Sequence, residues 1–307
     1  MHILVTGGSG FLGRHLAPYL TAQGHSVVSL TSKQCDLTRQ GSLEALSHEP
    51  YDEIYHLAAW TRAGDFCRTH GGEQWLVNQQ INTNMLAWWQ KYQPQAKLIA
   101  LGASVSYSTE DNLIEDAYLA GWPKSDYFAY TMSKRMLYAG LIALNQQFGL
   151  KYLYLVPSTL YGPQYHTDGR QLHFIYDLIR KILRGRHYGE PVVLWGDGHQ
   201  KRELVFVSDF VRIMTHLALH DDNDIVNVGA GEEHTIRYFA HLICDKVGYD
   251  FDAIQFDLAG FVGARSKCLS IDKLKRLVPD LTFTDLRTGL DQTIDWFWAE
   301  REILLPR

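Results

Sequence analysis

Thr6-Gly7-Gly8-Ser9-Gly10-Phe11-Leu12-Gly13 follows the apolar run Ile3-Leu4-Val5 directly and leads on to Arg14-His15-Leu16. Gly7, Gly10 and Gly13 stand three apart, with a predicted strand before them and a predicted helix after. Glycine permits the tight turn and lets backbone N–H groups approach a pyrophosphate. The helix N-terminus offers that anion free N–H groups and a positive dipole end. A glycine triplet alone is a weak signal, and its strand-turn-helix setting makes it a dinucleotide turn. The plain alternative is a flexible glycine turn.

Outward from this turn, short apolar runs alternate with longer amphipathic segments. The runs are Ser26–Leu30, Glu53–Ala58, Lys97–Leu101 and Lys151–Val156. Continuous apolar runs of this length suit strands buried on both faces of a parallel sheet, and the segments between them are long enough for crossover helices. Asp36 is read as opening a further strand between the first and second of these runs. The expected fold is α/β, a Rossmann-like doubly wound parallel sheet with a smaller C-terminal α/β substrate lobe. The boundary is expected near residue 160, giving a dinucleotide-binding domain over 1–160 and a second lobe over 161–307. That lobe is partly interwoven, since Ile225-Val226-Asn227-Val228 reads as a strand returning to the sheet. It holds a helix from Phe174 to Arg184, and Asp209 is placed as the cap of a helix over Phe210–Leu219.

Composition narrows the function classes. The 307 residues are 46% hydrophobic and 21% charged, as in a soluble globular chain. The net charge of −5 leaves no basic surplus for nucleic acid, and no apolar stretch approaches the roughly 20 residues of a spanning helix. Neither a nucleic-acid nor a membrane partner is therefore expected. The four cysteines (Cys35, Cys67, Cys244 and Cys268) form no Cys-x-x-Cys pair. That argues against a metal site and for a reducing cytoplasm.

The end of the second strand carries the cofactor choice. An acidic residue there grips the adenosine ribose of NAD, but this chain reads Leu30-Thr31-Ser32-Lys33. A carboxylate would repel a 2′-phosphate, whereas Ser32, Lys33 and nearby Arg14 would accept one. NADP(H) is thus favoured over NAD(H), with Asp36 placed to meet the adenine amine. Lys33 and Arg14 as merely solvated side chains is the competing reading.

Tyr130-Thr131-Met132-Ser133-Lys134 is the second chemical signal. Four residues apart on a helix, Tyr130 and Lys134 share one face. The ammonium is expected to lower the phenol pKa from about 10 toward the working range. An exposed helical pair is the bland reading, since Tyr-x-x-x-Lys recurs by chance.

Together the two motifs resemble the extended short-chain dehydrogenase/reductase family, of the NAD-dependent epimerase/dehydratase type. The similarity is closest to its branch of GDP-keto-deoxysugar epimerase-reductases and spans nearly the whole chain. It includes His56-Leu57-Ala58-Ala59, Leu101-Gly102-Ala103-Ser104 and Val156-Pro157-Ser158-Thr159-Leu160-Tyr161-Gly162-Pro163. It continues through Leu194-Trp195-Gly196-Asp197-Gly198, Lys201-Arg202-Glu203 and Asn227-Val228-Gly229. The resemblance implies a nucleotide-linked sugar whose ketone or hydroxyl faces nicotinamide, with Tyr130 exchanging the hydroxyl proton. It implies cofactor contacts from Gly7, Gly10, Phe11, Leu12, Gly13, Leu57, Ala58, Ala59, Lys134 and Pro157. His173 matches the family's epimerising acid/base. Arg202 matches its diphosphate-gripping arginine, a role suited to a guanidinium fork. Thr159, Lys181, Trp195 and Lys267 fall at sugar-nucleotide positions. His173 as an ordinary histidine, Arg202 as a surface ion pair and Trp195 as packing are the competing readings.

The chain also departs from that pattern. Ala103 stands where the family keeps a catalytic Ser or Thr. Ser104, one step later, is nominated in its place, although an extended backbone would turn it the other way. Val105 replaces the cysteine that partners the histidine, which argues against epimerisation at two carbons. The leading expectation is an NADP(H)-dependent reductase or epimerase/reductase of a nucleotide-linked keto-deoxy sugar, GDP-linked. The alternatives are a redox-neutral epimerase or dehydratase holding NAD(P) tightly, and a non-catalytic NADP(H)-binding protein. A homodimer is expected through helices over Gln74–Tyr92 and Tyr130–Gln147, with Trp88 and Trp89 at the interface or in the core.

Overall fold

The computed structural model describes residues 1–63, 65–108, 113–259 and 265–306. The chain opens with β1 (His2–Thr6), α1 (Phe11–Ala22), β2 (Ser26–Leu30) and β3 (Glu53–His56). α2 (Phe66–Thr69), α3 (Gly71–Tyr92), β4 (Lys97–Leu101), α4 (Phe128–Phe148) and β5 (Tyr152–Pro157) follow. Next come β6 (Thr159–Tyr161), α5 (Phe174–Tyr188), β7 (Val193–Trp195), β8 (Lys201–Arg202) and β9 (Leu204–Phe206). α6 (Val207–His220), β10 (Asp224–Val228), β11 (His234–Thr235) and α7 (Ile236–Val247) lead to β12 (Gln255–Asp257), α8 (Asp272–Leu277) and α9 (Leu286–Ala299).

Two compact units result. The first comprises Met1–Pro157, Phe210–Val228 and Ser270–Leu281, and the second Ser158–Asp209, Gly229–Leu269 and Thr282–Arg307. The first holds a six-stranded parallel sheet in the order β10-β5-β4-β3-β1-β2. Ile3, Leu4, Val5, Ile54, Leu98, Ile99 and Leu153 are fully buried, as consecutive apolar residues must be when helices cover both faces. Asn227 joins β10 to the Ser270–Leu281 segment of this unit. Its buried amide accepts from Tyr107 Oη at 2.6 Å and donates to Leu113 O and Ser270 O at 2.9 and 3.1 Å. Buried polar groups demand such partners.

The second unit is built on helices. Ile175, Ile179 and Ile182 of α5, Phe239 and Ile243 of α7, and Leu290, Ile294 and Phe297 of α9 form one core cluster. The i, i+3, i+4 spacing puts each set on one helical face.

Two local expectations are corrected. Asp36 opens no strand: residues 31–43 run in turns, and Asp36 Oδ1 accepts from Thr38 N and Thr38 Oγ1 at 3.1 and 2.7 Å. A carboxylate that captures the backbone two residues on favours a turn. Asp209 is not a cap but lies within the first turn of α6, where it accepts from Thr284 N at 2.6 Å. Of the two readings of Trp88 and Trp89, the core one holds: they are 5% and 0% exposed in the first unit, with their indole N–H groups on Ser47 Oγ and Ala96 O. No helix among the described residues is long and apolar enough to cross a membrane.

Candidate active site

In the first unit the strand order reverses at β1 and β3, the place where open parallel sheets bind ligands. Thr6 ends β1 there and His56 ends β3. Gly7 has φ +72°, and a Cβ on it would lie 2.9 Å from Ala58 N. A Cβ on Gly13 would lie 2.4 Å from Gly7 O. Gly10 caps α1 in extended conformation, and the first helical turn carries no acidic residue. The turn is braced by Gly8 N donating to Leu30 O and Gly10 N to Gly7 O, at 2.8 and 2.9 Å. Half-buried Leu57-Ala58-Ala59 lies against it, with Ala58 N donating to Thr6 Oγ1 at 3.3 Å. This close-packed backbone at a helix N-terminus fits the pyrophosphate of a dinucleotide.

Around the turn, Leu12 is buried and Phe11 half-buried. Arg14 is exposed, and its Nε donates to Ser9 O at 2.9 Å. Ser32 and Lys33 are exposed in the turn after β2. Asp36 is exposed, and the Thr38 hydrogen bonds hold its carboxyl below the usual range. Pro157 ends β5.

Tyr130 and Lys134 lie one turn apart on α4, with Lys134 Nζ 5.9 Å from the Tyr130 ring centroid. Lys134 Nζ donates to Leu101 O at 2.9 Å, and burial lowers its pKa to about 8. The Tyr130 phenol moves opposite to the sequence expectation: its pKa is raised, chiefly by burial and then by Cys67 and Tyr118. Lys134 is not among the groups that set it, because desolvation outweighs a cation held on a backbone carbonyl. A phenol in this state keeps its proton at neutral pH.

The segment after β4 also differs from an extended run. Ala103 is extended at φ −153°, ψ 138°, but Ser104–Ser106 form a 3₁₀ turn. The alternation that would send Ser104 away therefore stops at Ala103. Ser104 is half-buried.

The second unit gathers His173, Arg202 and Lys267. His173 precedes α5 in extended conformation, and its Nδ1 is buried with no hydrogen-bond partner among the described residues. Its pKa is lowered to about 4 by burial and by the nearby Lys267 and Arg202 cations, so the ring is neutral at neutral pH. Arg202 Nη1 donates to Lys201 O at 2.6 Å, and Lys267 N to Glu233 Oε2 at 2.9 Å. Lys181 Nζ lies 5.5 Å over the Trp195 ring, donates to Val193 O at 3.1 Å and pairs with Asp177 Oδ2 at 3.3 Å. Trp195 is 56% exposed, so packing does not account for it. Thr159 is half-buried on β6 beside β9.

Sequence reasoning passed over the supports of these groups. Glu203, 2% exposed, accepts from Gly231 N and Leu269 N at 2.8 and 3.0 Å. It thereby ties the Arg202 strand to the Lys267 segment. His56 accepts from Thr6 Oγ1 at Nδ1 and donates from Nε2 to Asn82 Oδ1, at 3.0 and 3.2 Å. Asn82 donates in turn to Ser133 O at 3.4 Å, joining the sheet to α4. The legible signal was a buried polar stripe on α3, Gln74, Asn78 and Asn82, at helical spacing.

The model of the NAD dependent epimerase/dehydratase family matches residues 3–229. A GDP-L-fucose synthase from Dictyostelium discoideum is 28% identical, over 96% of this chain and 94% of its own. A GDP-L-colitose synthase from Yersinia pseudotuberculosis is 26% identical, over 98% and 99%. Among solved structures, a GDP-L-fucose synthetase from Naegleria fowleri superposes with a TM-score of 0.86 at 22% identity, covering 98% of this chain and 94% of that one. The family match covers the glycine turn, the sheet and the Tyr130–Lys134 helix, and the chain belongs to the NAD dependent epimerase/dehydratase family.

Proposed function

We propose that the protein is an NADP(H)-dependent reductase, or epimerase/reductase, of a GDP-linked keto-deoxy sugar. The observation that carries the reading is the meeting of Arg202 and Lys267 with a neutral His173 whose buried Nδ1 has no hydrogen-bond partner among the described residues, all in the second unit. Two cations suit the diphosphate of a sugar nucleotide, and a neutral imidazole is able to take a proton from the sugar carbon beside a ketone. The relatives named for GDP-fucose and GDP-colitose synthesis support GDP as the nucleotide. A Naegleria fowleri structure with NADP bound, together with Ser32 and Lys33 after β2, supports NADP(H).

The residues have these roles in the proposal. The Gly7–Gly13 turn and the start of α1 hold the pyrophosphate, with Leu57, Ala58, Ala59 and Pro157 lining the cofactor. Arg14, Ser32 and Lys33 meet the 2′-phosphate and Asp36 the adenine amine. When bound, NADPH supplies hydride to the sugar carbonyl carbon. Tyr130, which holds its proton at neutral pH, gives that phenol proton to the carbonyl oxygen. Lys134 anchors the cofactor ribose, and Ser104 donates to the reacting oxygen. Thr159, Lys181 and Trp195 bind the sugar nucleotide. Val105 argues against two-carbon epimerisation, leaving keto-reduction or a single epimerisation through His173.

A reducing cytoplasm is proposed as its compartment, consistent with four free cysteines. A homodimer through α3 and α4 is proposed too, now resting on exposed Leu76 and Met136 instead of the tryptophans.

The test is NADPH oxidation with GDP-4-keto-6-deoxymannose and a panel of other keto-sugar nucleotides. Turnover with a GDP-linked member is expected. Tyr130→Phe should abolish turnover and leave NADPH binding within about threefold. No oxidation across the panel refutes the reading, and retained turnover in Tyr130→Phe removes that residue from its role.

A further inference from the structure

Three side chains of α4 reach back to the segment that follows β4. Lys134 Nζ donates to Leu101 O at 2.9 Å, Arg135 Nε to Ser106 O at 2.9 Å and Thr131 Oγ1 to Val105 O at 3.3 Å. Spaced i, i+3 and i+4 from Thr131, they stand on neighbouring rows of the helix surface. All three are buried, Thr131 at 0% and Arg135 at 5% exposure. Nη1 and Nη2 of Arg135 donate to Gly121 O and Ala120 O, on the segment before α4, at 2.8 and 2.9 Å. One guanidinium thus clamps two segments to α4. The helix is itself fixed to the sheet, because Tyr154 Oη of β5 donates to Lys134 O at 2.8 Å.

The clamped turn is the one that carries Ser104. Ser104–Ser106 is a single 3₁₀ turn, closed by Ser106 N donating to Ala103 O at 2.9 Å. Isolated 3₁₀ turns have poor hydrogen-bond geometry and little stability of their own. The Ser104 side chain leaves the backbone where extended Ala103 gives way to this turn, so any rotation of the turn re-aims its hydroxyl. Val105 and Ser106 are held at their carbonyls by Thr131 and Arg135, two side chains one helical turn apart. Ser104 and Tyr130 are the chain neighbours of Val105 and Thr131, the pair joined at 3.3 Å. A guanidinium suits this work: it offers five N–H donors in fixed directions, where an ammonium is a mobile point charge. Burying that charge is costly unless acceptors converge on it, and here three backbone carbonyls do.

We propose that Arg135, assisted by Thr131, is a positioning residue of the reduction: it locks the Ser104–Ser106 turn onto α4, so that the Ser104 hydroxyl and the Tyr130 phenol meet the reacting oxygen in one fixed geometry. In this role Arg135 touches neither substrate nor cofactor and exchanges no proton. Its effect reaches the chemistry through Ser104. The inference rests on the reading of Ser104 as a donor to that oxygen.

The test is a double-mutant cycle between Arg135→Lys and Ser104→Ala in the full-length protein, assayed with NADPH and GDP-4-keto-6-deoxymannose. Ser104→Ala removes one donor from the reacting oxygen and should lower kcat by about 10²-fold. Arg135→Lys keeps the charge and loses the fork, and the displaced turn should lower kcat by about 10- to 100-fold. KM and the NADPH Kd should stay within about threefold in both. In the double variant kcat should be no lower than in Ser104→Ala alone, because the turn then carries no hydroxyl to aim. A general loosening of the fold would instead multiply the two losses. Thr131→Val keeps the side-chain shape and drops the 3.3 Å bond. It runs the same cycle with an expected loss of about 3- to 10-fold, and it is the deciding variant if thermal melting shows Arg135→Lys unfolded. Wild-type kcat in the deciding variant, or losses that multiply in its double variant, overturn the inference. Wild-type kcat in Ser104→Ala overturns the underlying reading instead, so the two failures are distinguishable.

Discussion

Replacing Gly13 by alanine tests the cofactor cradle with the least chemistry. The new Cβ would sit 2.4 Å from Gly7 O, 2.7 Å from Gly8 Cα and 2.9 Å from Gly8 C. All three are backbone atoms, so no side-chain rotation relieves the contact, and the turn must move by about 1 Å. Overpacking of this kind costs about 1–3 kcal/mol. The displaced atoms belong to the turn whose N–H groups meet the pyrophosphate, and a hydrogen bond to a charged group contributes about 1.5–3 kcal/mol. Losing one such bond raises the NADPH Kd about 10- to 100-fold. Gly24 supplies the control: its φ is +83°, and nothing lies within 4 Å of a Cβ there. Gly24→Ala should cost about 1 kcal/mol of stability through backbone strain and leave the Kd unchanged. NADPH fluorescence titration and thermal melting read both quantities. A Gly13→Ala protein that binds NADPH within threefold of wild type refutes the steric reasoning. So does an equal loss of affinity in Gly24→Ala.

Acid should weaken the first unit through His56, which is 2% exposed and has its pKa lowered from 6.5 to about 4 by burial. Between those values the unfolded chain binds the proton and the folded one does not. The contribution is therefore full above pH 6.5 and lost as pH falls toward 4, about 3 kcal/mol in all. Denaturant titrations over this range should show a shallower pH slope in His56→Gln than in wild type, and equal slopes would refute it. Arg202→Ala should raise the KM for the GDP-sugar about 10- to 100-fold and leave the NADPH Kd unchanged. A steady-state rate series in each substrate measures this, and an unchanged KM removes Arg202 from the diphosphate.

Much of the sheet could be read along the chain because its signals are local. Ile3-Leu4-Val5 and Leu98-Ile99-Ala100 are apolar and buried on consecutive positions, as a strand covered on both faces requires. The region after β2 misled for an equally local reason. Asp36 looks like a strand opener until its carboxylate closes a turn on Thr38. Trp88 and Trp89 showed two large aromatics on a helix, but not that Ser47 and Ala96 meet their indole N–H groups.

Residue order was enough to specify the α/β class, the glycine turn and the Tyr130–Lys134 pair, because each depends on neighbours within a few positions. Three-dimensional packing decided the electrostatics. Burial outweighs Lys134 at Tyr130, and burial together with residues 94 and 29 positions away holds the His173 ring neutral. Packing also put His56 of the sheet on Asn82 of α3 and Asn82 on Ser133 O of α4, a chain of buried contacts between residues 26 and 51 positions apart. Desolvation and hydrogen bonding act over a few ångströms, and spacing along the chain says nothing about which distant side chains fall within that reach.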